Sequence, residues 1–152
     1  GHTFGHALEA EADRSALFIG LGGGVVTDIT GFGLAGHGFE MADGSQRTLA
    51  FDVNSLPLFE GAVRNSLTRF KTRASKTNRE YIEGKYRMEG KSDPVRVEFL
   101  WDAQTSGGLL ISVDPAKADQ LVAEARKRGA ESSCIVGEVQ EREDVAIIFR
   151  WN

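Results

Sequence analysis

The 152 residues carry 41% apolar and 26% charged side chains with three prolines, which excludes a disordered or fibrous chain and fits one globular domain able to bury roughly 70% of its unfolded surface. A formal net charge of −4 argues against wholesale nucleic-acid binding, and no run approaches the ~18 apolar residues that a membrane span needs. The single cysteine, Cys134, excludes an internal disulfide and suits a reducing compartment; with no basic-then-apolar leader at the start, the cytoplasm is the expectation.

Residues 1–6 hold no helix or strand start signal. His2 and His6 could pair on a metal, but the stretch reads as a disordered or cloning-derived end. Residues 7–18 contain Ala and Glu helix formers with an apolar stripe at Ala7, Leu8, Ala12 and Leu17, which predicts a helix stopped by the glycines at 20 and 22–24. Val25, Val26, Thr27 and Asp28 read as a short strand or entry loop. Thr30 can then cap a helix from about Gly31 to Ala42, closed by Asp43 and Gly44. Glycine costs a helix roughly 1 kcal/mol relative to alanine, so the glycines here need a reason. Close packing on a sheet would account for Gly36 and Gly38; Gly31 and Gly33 lie at the first turn, where a ligand would sit.

Residues 48–53 alternate as a strand, and Pro57 begins a short helix. Residues 64–91 then hold nine basic side chains against three acidic ones, so this stretch carries +6 and the rest of the chain −10. It is either a solvated surface segment or a flank that attracts an anionic ligand. Residues 95–101 alternate Val95, Val97, Phe99 and Trp101 with Arg96, Glu98 and Leu100, which periodicity alone reads as a strand. Leu109–Val113 is a short apolar strand. Pro115 starts an amphipathic helix with Ala118, Leu121, Val122 and Ala125 inside, ending at Lys127, Arg128 and Gly129. Residues 134–139 and 145–149 are two final strands, the first holding Cys134 as a buried, inert thiol. The pattern predicts an α/β fold with a mixed sheet packed with helices.

Two segments carry chemistry. Residues 28–33, Asp-Ile-Thr-Gly-Phe-Gly, deliver a carboxylate onto a glycine-rich turn at a helix start. Residues 104–108, Gln-Thr-Ser-Gly-Gly, form a second such turn before an apolar strand. Glycine lets ligand oxygens reach backbone N–H groups, and a helix start adds a positive dipole end. An Asp at that place repels a bare phosphate but suits one arriving with Mg²⁺. The alternatives are that Asp28 caps the helix and that Gly107 and Gly108 permit only a tight turn into the strand.

Residues 27–42, TDITGFGLAGHGFEMA, closely resemble the opening signature of the C-terminal domain of selenophosphate synthetase (selenide, water dikinase). Residues 102–113, DAQTSGGLLISV, resemble the family's later motif, and 134–139, CIVGEV, its closing strand; order and spacing agree across 25–152, while 1–24 match poorly. The wider superfamily has the aminoimidazole ribonucleotide synthetase-like fold. The resemblance implies the reaction ATP + selenide + water → selenophosphate + AMP + phosphate, in a homodimer of two-domain chains. It implies an N-terminal domain with the catalytic Cys or selenocysteine, a Lys and most of the metal-binding aspartates. Asp28 would then be the one carboxylate this domain adds to the Mg²⁺–ATP site, with Thr27 and Thr30 orienting it and Gly31 and Gly33 letting phosphate come close.

The family's Gly-Gly-Thr-x-x-Asn loop aligns with residues 73–78, so Ser75 stands for Thr, Asn78 is kept and both glycines are gone. With Thr105, Ser106, Gly107 and Gly108, these two side chains would form a polar rim for phosphate. Pro is usual where Ala103 sits, and the family's pattern makes 95–101 helical, against the alternation; the resemblance decides for a helix there. No leader with a reactive thiol, Lys and aspartates appears. The chain is therefore expected to be the C-terminal domain (25–152) without its catalytic half, inactive alone, with no nucleic-acid or membrane partner. Another ATP-dependent synthetase of the superfamily and a non-catalytic phosphate-binding or docking module remain the alternatives.

Overall fold

A computed structural model describes residues 16–19, 24–58, 62, 73–105 and 107–152. Its strands are β1 (Ala16–Ile19), β2 (Val25–Asp28), β3 (Arg47–Asp52), β4 (Tyr86–Glu89), β5 (Leu109–Val113), β6 (Cys134–Glu141) and β7 (Ile147–Arg150). The helices are α1 (Gly33–Gly44), α2 (Arg73–Tyr81), α3 (Pro94–Trp101) and α4 (Pro115–Lys127), with a 3₁₀ turn at Val53–Ser55. The strands form one sheet in the order β2-β5-β1-β6-β3-β7-β4. β2–β5 and β3–β6 are antiparallel and the other neighbours parallel, so the sheet is mixed, as expected.

Side-chain alternation divides the core between the two faces of the sheet. Leu110 and Val136 join Phe51, Ile147, Phe149, Leu100 and Trp101 in the larger cluster, under α1 and α3. Leu109, Ile111 and Ile135 point the other way, onto Val122 and Leu121 of α4. Covering both faces explains why Leu109, Leu110 and Ile111 are all buried, where a half-exposed strand would alternate. Trp101, Phe149, Phe51 and Tyr86 pack ring against ring, with centroids 5.0–6.0 Å apart.

Two expectations are corrected, and the choice at residues 95–101 is borne out. Residues 16–18, placed at the end of a helix, lie in β1, paired in parallel with β5 and β6; the rest of that helix, 7–15, lies outside the described residues, as do His2, His6 and most of the helix expected after Pro57. Residues 95–101 are helical, as the family resemblance implied and against the alternation. Asp93 caps α3 by accepting from Val95 N–H at 2.8 Å, and Pro94 sits at its first position. Val97, Leu100 and Trp101, spaced three and four apart, face the core. The second correction is that Thr30 does not cap α1. The helix begins at Gly33 behind Phe32, with no side-chain cap. The glycines of α1 answer partly to packing: a Cβ on Gly38 would lie 3.0 Å from the Phe51 ring.

Candidate functional site

The two glycine turns meet. Past the end of β2, Ile29 N–H donates to Gly108 O at 2.9 Å and Gly107 N–H donates to Ile29 O at 3.0 Å. Gln104 N–H donates to Thr30 O at 3.1 Å, so the two backbones are knitted together. Ile29 anchors the seam, with only 5% of its surface exposed.

This closeness sets two of the glycines. Gly33 has φ +67°, and a Cβ there would lie 2.8 Å from Asp102 O; a Cβ on Gly107 would lie 2.6 Å from Ile29 O. Both were expected to make room for phosphate, but what each admits is the opposite loop. The Gly107 N–H, read as part of a phosphate rim, is spent on Ile29. Gly33→Ala is therefore expected to cost about 2 kcal/mol or more in urea unfolding, from left-handed backbone strain plus the clash; an unchanged midpoint would mean the loops are not held this close.

Asn78 is likewise placed differently from the rim position. It is 4% exposed, and its amide donates to Gly31 O and to Trp101 O, each at 2.9 Å. The side chain ties α2 to the first glycine turn and to the end of α3. Ser75 lies one turn earlier on the same face of α2. Lys76 pairs with Glu80 at 3.7 Å, and the Arg79 guanidinium rests over the Trp101 ring at 5.8 Å. The basic stretch is not a single patch, because Arg87 on β4 is engaged by Glu89, Glu143 and Asp144 at the far edge of the sheet.

The outward-facing groups are Asp28, Gly31 and Thr105, all exposed, with Thr27 and Thr30 half-buried. The Asp28 carboxylate makes no hydrogen bond or ion pair with another described residue. Around a Cβ built on Gly31 there is nothing within 4 Å. Ser106 lies outside the described residues. Among those described, no three His, Cys, Asp or Glu side chains converge as a metal cluster. A single carboxylate beside open space suits a hard cation that keeps most of its ligands from water and phosphate.

Three side chains at this site were not read from the sequence. His37, in α1, is 9% exposed, with Nε2 3.0 Å from Thr30 Oγ1 and Nδ1 3.3 Å from Glu40 Oε2. Phe32 and Tyr81, 46% and 48% exposed, stack with centroids 5.5 Å apart beside Gly31. The signal for His37 was its place one helical turn before Glu40; nothing in the sequence pairs Phe32 with Tyr81. Cys134 is half-buried against Ser55 O, and burial pushes its thiol up, so it holds little thiolate at neutral pH. No helix among the described residues is long and apolar enough to cross a membrane.

The family model described as AIR synthase related protein, C-terminal domain, matches residues 24–150. The selenide, water dikinase of Caldanaerobacter subterraneus subsp. tengcongensis is 38% identical over 138 residues, covering 91% of this chain and 40% of the relative. Those of Nitrosomonas eutropha and Bdellovibrio bacteriovorus are 41% and 39% identical over 123 residues, covering 81% of this chain and 35% of each relative. The chain thus spans well under half the length of these curated relatives.

Proposed function

We propose, for a chain that belongs to the AIR synthase-related C-terminal domain family, the role of the C-terminal half of a selenide, water dikinase. The observation that carries this reading is the seam between the two glycine turns, which leaves Asp28 and Gly31, three residues apart, both exposed. Bound there, Mg²⁺ would neutralise charge on the phosphates of ATP. Asp28 supplies one anionic oxygen, and Thr27 and Thr30 flank it. Gly31 lets a phosphate approach the backbone; Thr105 is exposed on the facing turn, and Ser75 stands one turn before Asn78, which holds the Gly31 carbonyl. The thiol or selenol that handles selenide, its Lys and the other aspartates come from an N-terminal domain, and the intact enzyme is a homodimer. A half-buried Cys134, short of thiolate, is a poor substitute for that nucleophile.

The test is complementation. The chain alone is expected to form no AMP from ATP in the presence of selenide. Mixed or fused with the N-terminal half of one of the relatives named above, it should restore selenide-dependent AMP and selenophosphate formation. AMP formed by the clean chain alone, or no gain from any catalytic half, would overturn the assignment.

A further inference from the structure

We propose that Val25, Val26, Phe32 and Tyr81 form the surface on which the N-terminal half docks, with the stacked aromatic pair as its anchor. The inference rests on the reading above for the identity of that partner and adds where on this chain it is seated.

Two observations single out these residues. They are the large apolar side chains that stay exposed among the described residues, at 42%, 45%, 46% and 48%. Single exposed apolar side chains are ordinarily scattered over a surface. Here three of them fall within residues 25–32, around Asp28 and Gly31, and Tyr81 joins them by stacking on Phe32 at 5.5 Å. Phe39 closes edge-on against Tyr81 at 5.7 Å, so the pair is held in place before any partner arrives.

The second observation is the contrast between the two edges of the sheet. Edge strand β4 is blunted by charge: Arg87 is engaged by Glu89, Glu143 and Asp144, and Arg150 by Glu89 and Glu138. β2, at the opposite edge, offers two exposed valines and, among the described residues, pairs only with β5. An apolar edge without such charges invites pairing unless something covers it.

The occupant follows from Asp28. Mg²⁺ needs an octahedron of oxygens at about 2.0–2.1 Å, and no cluster of three His, Cys, Asp or Glu converges among the described residues. The carboxylates that join Asp28 therefore arrive on the covering body, which must lie over the residues just before and just after it. A second copy of this chain seated here would bring only another lone Asp28 and would set like charges together. The relatives extend well beyond this chain, which covers 35–40% of their length, so a body of sufficient size precedes this domain in them. Contacts between domains of one chain bury about 600–1,500 Å², so the four side chains are the apolar centre of a larger interface.

The test is hydroxyl-radical footprinting of this chain, alone and fused behind the N-terminal half of one of the relatives named above. Labelling of Phe32 and Tyr81 should fall several-fold in the fusion, while Met88, on β4 across the sheet, should label equally in both. After cleavage of the linker, Tyr81→Gln should weaken the association of the two halves at least about tenfold. Melting of the variant chain alone checks its folding. Val25→Thr, which keeps a strand-forming side chain away from the aromatic pair, should act in the same direction. Undiminished labelling in a fusion that forms AMP, or parental association of both variants, overturns the docking surface and leaves the proposed function standing. Protection in a fusion that forms no AMP supports the surface and sinks the function. Protection that grows with concentration in the chain alone assigns the face to a second copy and overturns the proposal.

Discussion

Asp28→Asn is expected to lower the selenide-dependent turnover of the assembled two-domain enzyme by at least about a hundredfold, because losing even an outer-sphere partner of a metal costs roughly 10–100-fold. Its thermal stability should move by no more than about 0.5 kcal/mol, the usual range for a surface substitution. The separation between the two readouts follows from where Asp28 lies. It ends the edge strand β2, exposed, five residues before α1 begins at Gly33. Its carboxylate makes no hydrogen bond or ion pair with the described residues, so Asn removes charge and little else. Were Asp28 a helix cap, the same change would cost around 1 kcal/mol of stability and leave the chemistry intact. Turnover measured as AMP release across a Mg²⁺ titration, with melting curves on the same samples, decides between them. A mutant with parental turnover and a lowered melting temperature would return Asp28 to a structural role.

Long apolar runs and capped helices were legible in the sequence because their signal is local. Leu109–Val113 and the Pro115 helix lie where hydrophobic periodicity and the proline start put them. Residues 95–101 show a signal read on too narrow a window. Strict alternation of Val95, Val97, Phe99 and Trp101 mimics a strand, yet the Asp93-Pro94 start and the Val97, Leu100, Trp101 spacing fit a helix equally well. Tertiary burial of Leu100 and Trp101 chose the latter. β1 and β4 are short, and what holds them is pairing with strands distant in sequence: β1 lies between β5 and β6, and β4 beside β7. No propensity in four residues announces such partners. At the site, the glycine turns stood out by composition, but composition could not separate a glycine that admits a ligand from one that admits another loop. Gly31 is open, whereas Gly33 and Gly107 are pressed against Asp102 and Ile29.

Asn78→Ala should be among the most destabilising single changes in this chain, at about 3 kcal/mol, since each buried group left unsatisfied costs roughly 1–3 kcal/mol. The side chain is the common donor to two carbonyls, Gly31 O and Trp101 O, which belong to segments far apart in the sequence. Without it, the Trp101 carbonyl is left as an acceptor facing protein, and the turn that carries Gly31 loses its tie to α2. For a domain of this size the loss corresponds to a fall of about 6–12 °C in melting temperature. A cavity alone would also destabilise, so Asn78→Leu separates the causes. Leucine refills the volume but supplies no donor, and a deficit of hydrogen bonds predicts that it melts nearly as low as the alanine variant. Recovery of most of the stability by leucine would mean that packing, and not the paired amide bonds, holds the site together. Both variants should also blunt the response of the Asp28 and Gly31 amides to Mg²⁺ under conditions where the chain remains folded, because the carboxylate and the open glycine keep their relative position only while the turn between them is tied down.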